Sequence, residues 1–162
     1  MSINSKNSNY RAQFSEIAKS KGYRITKASR AENEHNIDLK LEGQVNGKST
    51  TVSVDIKKKN GKHSNSWVYI EYVNSKGKDG WLYGWAEFVV FETGNSFIFV
   101  SRKALLKLLN TSSIVRWDLP FVDQAWKSKY RLFRRHGTLE KITQIEISHL
   151  LSLASTIVWK KL

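Results

Sequence analysis

Two stretches of alternating residues stand close together in the first third of the chain. In residues 36–42 the apolar Ile37, Leu39 and Leu41 alternate with Asp38, Lys40 and Glu42; in residues 51–57 Val52, Val54 and Ile56 alternate with Ser53, Asp55 and Lys57. A period of two is the pattern of a strand with one buried face. Asn46-Gly47 between the two stretches is a strong hairpin-turn signal. The pattern therefore predicts a hairpin in which Asp38 is brought opposite Asp55, with Lys57 emerging on the same side as Asp55.

The pattern changes on either side of this hairpin. Upstream, Tyr10, Phe14, Ile17 and Ala18 recur at helical spacing, and Gly22 follows Lys19 and Lys21, predicting an amphipathic helix over residues 10–21 with a glycine stop. Residues 23–28 read as a short edge strand and 29–36 as a polar passage in which His35 is a loop residue. Downstream, residues 58–66 form a cationic loop and 67–73 a strand. The glycine-rich, aromatic segment 74–85 has the character of a functional loop. Strands are expected over 86–92 and 97–100, and a helix over 102–109 with Ala104, Leu105, Leu108 and Leu109 toward the core. Residues 142–147 alternate again, residues 148–155 read as a capped apolar helix, and residues 157–159 dock on the body or on another copy. The expected fold class is α/β, with the core over residues 1–110 and an elaboration of the same domain over 111–162.

Composition narrows the partners. The chain has 162 residues, enough for one unstapled core, and no cysteine, which excludes disulfides and thiolate metal sites. No apolar run reaches membrane-spanning length, and the polar start of residues 1–9 lacks the apolar region of a signal peptide, so a soluble cytoplasmic protein is expected. Lys and Arg number 27 against 14 Asp and Glu, a formal charge of +13. Such a field draws polyanions. The densest run is in the elaboration, where Lys127, Lys129, Arg131, Arg134 and Arg135 give five cations in nine residues with no acid among them. With Lys58, Lys59, Lys62, Lys76 and Lys78 they are the candidate nucleic-acid contacts. There is no nucleotide-binding glycine fingerprint, zinc spacing or nucleophile triad.

The chemistry of the hairpin fits the charge. A hard cation such as Mg²⁺ takes oxygen ligands from one or two carboxylates and shares its remaining positions between water and phosphate. A lysine beside it stabilises charge developing on phosphorus. At Asp38 and Asp55-Ile56-Lys57, with sixteen residues between the two acids, the chain resembles the PD-(D/E)XK nuclease superfamily, with Ile37 where the motif's name has proline. The likeness extends through residues 67–72, 75–81 and 85–91, similar to phage-type members. The resemblance implies a restriction-endonuclease-like mixed β-sheet flanked by helices, here with a basic C-terminal extension. It also implies an endodeoxyribonuclease using Mg²⁺ or Mn²⁺ and acting on DNA as a homo-oligomer, a dimer or tetramer. Within that superfamily the resemblance leaves open a homing endonuclease, a Holliday-junction resolvase and a restriction-like enzyme.

In that comparison Asp38, Asp55 and the carbonyl of Ile56 would bind the metal and Lys57 would assist the attack of water. Many members carry a glutamate on the first helix that reaches the metal. Glu16 is the position for it, with a surface residue near Lys19 as the alternative. Glu71 reads equally as a further catalytic acid or as half of a structural ion pair. A catalytically inactive nucleic-acid-binding module of the same fold, and a basic protein that targets an acidic protein, are the competing expectations.

Overall fold

The computed structural model describes residues 9–162, so the polar start at residues 1–8 lies outside the described residues. Helix α1 (Asn9–Ser20) buries Phe14, Ile17 and Ala18. It stops as the pattern predicts: Gly22 adopts φ 90°, its N–H donates to Lys19 O, and the N–H of Tyr23 donates to Ala18 O, the two bonds of a Schellman cap. Strand β1 (Arg24–Lys27) follows. The polar passage after it holds a short helix, α2 (Arg30–Glu34), closed by a capping box between Ser29 and Glu32.

Strand β2 (Leu39–Val45) and strand β3 (Lys48–Lys57) form the expected hairpin. Asn46 and Gly47 both take positive φ, 52° and 76°, as a two-residue turn matched to strand twist requires. The first strand starts later than residue 36. Its ladder opens at Leu39 paired with Val54, and Asp38 sits just before it with its N–H on Val54 O.

After Lys57 the chain leaves this sheet. Strand β4 (Trp67–Val73) crosses over it, a 3₁₀ turn forms at Trp81–Tyr83, and strand β5 (Phe88–Glu92) returns parallel to β3. Parallel neighbours need such an excursion, and here it is built around a strand instead of a long helix. Strand β6 (Ser96–Ser101) pairs antiparallel with β5 and leads into helix α3 (Arg102–Thr111), whose N-cap is Ser101.

The last third is woven into this body. Strand β7 (Lys141–Glu146) pairs with β4, helix α4 (Ile147–Leu151) follows, and strand β8 (Ile157–Lys160) pairs with β6. The main sheet has the order β1-β2-β3-β5-β6-β8, and β4 with β7 makes a second, two-stranded sheet. The fold is mixed α/β. Residues 157–159 thus dock on the body of the chain itself, as an edge strand.

Each face of the main sheet has its own core. On one, α1 packs Phe14 against Phe97, Phe99 and Trp159 at ring separations of 5.4, 5.6 and 5.7 Å, with Leu41, Val54 and Ile56 beneath. On the other, β4, β7 and α3 bury Ile70, Ile145 and Leu105 against Val89, Phe91 and Val100. Asp55 and Lys57 alternate with Val54 and Ile56 and stand beside Val89 and Phe91 of β5, so they belong to this second side.

Candidate functional site

Asp55 is 3 % exposed, placed there by the same alternation that buries Val54 and Ile56 on the opposite face. Lys57 Nζ is 3.0 Å from Asp55 Oδ1. Asp38, at the mouth of the hairpin, accepts the N–H of Ile56 on Oδ2 at 2.8 Å. Its Oδ1 faces the guanidinium of Arg11 on α1, 3.0 Å away. Burial pushes the Asp55 carboxyl up to about 7 against the pull of the Lys57 ammonium; the charge of the neighbouring Asp38 carboxylate pushes the same way as burial. The three residues singled out by alternation therefore meet.

One atom of this cluster is unsatisfied. Asp55 Oδ2 is buried with no hydrogen-bond partner, where buried carboxylate oxygens are ordinarily paired. An all-oxygen donor set with a vacant, buried carboxylate oxygen fits a hard divalent cation, which needs one or two protein carboxylates and keeps several waters. No further acid joins: among the described residues there is no group of three His, Cys, Asp or Glu side chains placed to hold a metal.

The two remaining acids expected near the metal have other positions. Glu16 is exposed and lies about 140° around α1 from Arg11, the residue of that helix that reaches Asp38. A glutamate there points away from the carboxylates. Glu71 spends its Oε1 on the N–H of Trp81 at 3.2 Å. Gly80 makes this possible, since a Cβ there would lie 2.3 Å from the Glu71 carbonyl oxygen. Glu71 is thus the anchor of the 3₁₀ turn that carries Trp81. Trp81 in turn has Lys57 Nζ 4.9 Å from its ring centroid, so the lysine is held between a carboxylate and an aromatic face. Ile56 contributes its N–H to Asp38, while its side chain lies in the α1 core.

A groove leads away from Lys57. One recess is bounded by Lys57, Lys58, Lys59, Trp67, Tyr69 and Trp81. A second shares Asn60, Trp67 and Tyr69 with it and continues past Lys62 and His63 to Trp126 and Lys129. The floor of both is the outer face of β4. The start of the loop after β3 is tethered by Glu92, which is buried and accepts the N–H of Lys59 at 3.0 Å and the Lys161 ammonium at 2.8 Å.

The ten candidate nucleic-acid contacts divide. Lys58, Lys59, Lys62 and Lys129 line the groove, with Lys129 Nζ 4.8 Å over the ring of Trp67. Lys127 is at its margin beside Trp126, 5.2 Å from that ring, and also 4.0 Å from Asp123. Lys76 and Lys78 lie on a turn beyond the far end of β4, where both backbone N–H groups donate to Asn74 Oδ1. The arginines of the dense run each have a partner within the extension. Arg131 donates to Pro120 O at 2.7 Å, Arg134 lies 4.1 Å over Phe121, and Arg135 Nε is 3.5 Å from the buried Glu140. The run has no acid within it, but tertiary folding brings Glu140 and carbonyl oxygens to it.

Arg11, Glu92, Trp67 and Trp126 are the site residues that local pattern did not single out. Arg11 and Glu92 meet partners far away in sequence. Trp67 falls in the strand predicted over residues 67–73, but nothing local sets its ring, or that of Trp126, apart as part of a site. The chain is thus a mixed α/β protein with a carboxylate and lysine cluster at the head of a cationic, aromatic groove. No family model, curated protein or solved structure matches it.

Proposed function

We propose that the protein is a metal-dependent nuclease that hydrolyses phosphodiester bonds in DNA, in the manner of the PD-(D/E)XK superfamily it resembles. The observation that carries this reading is the meeting of Asp38, Asp55 and Lys57 around a buried carboxylate oxygen without a partner. Asp38 and Asp55, with the Ile56 carbonyl, would hold Mg²⁺ or Mn²⁺. The ion, when bound, supplies Lewis-acid activation of water and neutralises charge on the phosphate. Lys57 stabilises the negative charge that develops on phosphorus, and Trp81 keeps its ammonium aimed into the groove. Arg11 orients Asp38, and the groove lysines bind the flanking phosphates without reading sequence. Duplex cleavage with one such site per chain calls for a homo-oligomer, as in homing or junction-resolving enzymes.

Cleavage of plasmid, linear and branched DNA with Mg²⁺ tests the proposal. Lys57→Ala is expected to lower the rate by about 10²-fold or more, the scale of removing one preorganised charge-stabilising group, and Asp55→Asn to abolish cleavage. Wild-type cleavage that Lys57→Ala leaves unchanged would sink it.

A specific feature favours the rival reading of a non-cleaving nucleic-acid binder. Each carboxylate already has a protein cation against it, Arg11 on Asp38 and Lys57 on Asp55, and no third acid joins them among the described residues. DNA binding indifferent to EDTA, with no scission under any divalent metal, would decide for that reading.

Among the described residues no helix is long and apolar enough to cross a membrane.

A further inference from the structure

The groove is built for more than phosphate. Trp67 and Tyr69 expose part of their rings on the outer face of β4, and Trp126 stands at the end with 68 % of its surface exposed. An indole so exposed adds little to the core, yet its segment is firmly held. Gln144, itself 5 % exposed, donates to Ala125 O at 2.7 Å and to Ser128 Oγ at 3.1 Å. Ser128 is fully buried and also bonds Ala125 O. A buried polar network thus fixes the segment that carries an outward-facing ring.

Lysines alternate with these rings. Lys129 lies against Trp67, Lys62 lines the second recess together with Trp126, and Lys59 lines the first recess with Lys57. A duplex keeps its base faces stacked inside and offers a protein its phosphates and base edges, so a row of ring faces gains nothing from it. An unpaired strand offers both its phosphates and its base faces, and rings between cations are how such strands are held.

We infer that this groove binds an unpaired DNA strand, with bases stacked on Trp126 and Trp67 and phosphates on Lys62 and Lys129, and leads it toward Lys57. The inference rests on the nucleic-acid reading of the site and deepens it. The substrate is a single-stranded segment, as at a flap, fork or melted site, in place of uninterrupted duplex.

Binding by fluorescence anisotropy in EDTA tests this apart from cleavage. A short labelled oligothymidylate is compared with a blunt duplex of equal length, on the full chain and on Trp126→Ala, whose exposed position keeps the fold intact. The single strand is expected to bind at least about tenfold more tightly than duplex. Trp126→Ala should weaken single-strand binding by about tenfold, within the range for one stacked base, and leave duplex binding unchanged; Trp126→Phe should restore most of the loss. Equal or tighter duplex binding overturns the inference, and so does a Trp126→Ala loss shared equally by both ligands. If the strand preference holds and no metal supports scission, the nuclease reading fails and this one stands. If intact duplex is cut with no strand preference, the reverse is true.

Discussion

The two faces of the main sheet are built from the same strands and do different work. Beneath α1 the face is dry and aromatic: Phe14, Phe97, Phe99 and Trp159 close on one another, and Val54 and Ile56 of β3 complete the layer. One residue along the same strand, on the other face, a carboxyl group is buried with one oxygen unsatisfied. Burying an acid without full pairing is costly, so the first face supplies stability and the second spends some of it on a site.

Core truncation and charge removal should therefore move stability in opposite directions. Phe14→Ala removes a fully buried ring and is expected to destabilise the protein by about 3–5 kcal/mol, the range for large-to-small aromatic changes, read from urea unfolding. Asp55→Asn should stabilise it. The folded carboxyl titrates at about 7 against 3.8 ordinarily, so the folded state favours the proton. Below about pH 3.8 both folded and unfolded forms carry it, and nothing is gained by the substitution. As pH rises through 3.8 to 7 the wild type progressively loses that stability, while the variant does not. The gain at pH 8 is expected to be about 2–4 kcal/mol, an order of magnitude taken from about 1.4 kcal/mol for each tenfold change in proton affinity. A variant less stable than wild type at pH 8 would mean that Asp55 is structural.

A divalent ion sharpens the contrast from the other side. Mg²⁺ that binds only the folded protein raises its stability by about 2.7 kcal/mol at a hundredfold excess over its dissociation constant. The rise in melting temperature is expected to grow as pH increases through 7, because the ion takes the ionised Asp55, and to vanish in Asp55→Asn. Phe14→Ala, though less stable overall, should keep the same increment. An increment that survives in Asp55→Asn places the ion elsewhere.

What could be read from sequence follows the range of the interactions. The hairpin was legible because Asn46-Gly47 and the alternation around it are local, and the same alternation brings Asp38, Asp55 and Lys57 to one place. The α1 stop was legible because Gly22 supplies its cap within a few residues. The start of β2 was not, since the ladder between Leu39 and Val54 leaves Asp38 as a flanking residue. Helix α2 buries no residue, so no apolar period marks it and only Ser29 and Glu32 betray it. The assignment of β4 to a second sheet depends on β7, about seventy residues later, which no local pattern encodes. Arg11 carries no local signal for the same reason: its partner, Asp38, is 27 residues away. Glu16, on the same helix, is marked only by the family resemblance.

The smallest expected effect separates the two kinds of cation in the last third. Lys129 lies in the groove over Trp67, whereas Arg135 turns to the buried Glu140, so sequence density does not tell them apart and salt dependence should. Each phosphate contact to a single strand contributes about 0.7 to the slope of log affinity against log salt. Lys129→Ala is expected to reduce the slope for oligothymidylate by about that amount. Arg135→Ala should leave the slope unchanged and lower stability instead, by about 1 kcal/mol, because Glu140 loses a charged partner but keeps the backbone N–H of residue 135. If Arg135→Ala lowers the slope as much as Lys129→Ala, the arginine run contacts the strand as well, and the path of the nucleic acid extends beyond the groove onto the extension.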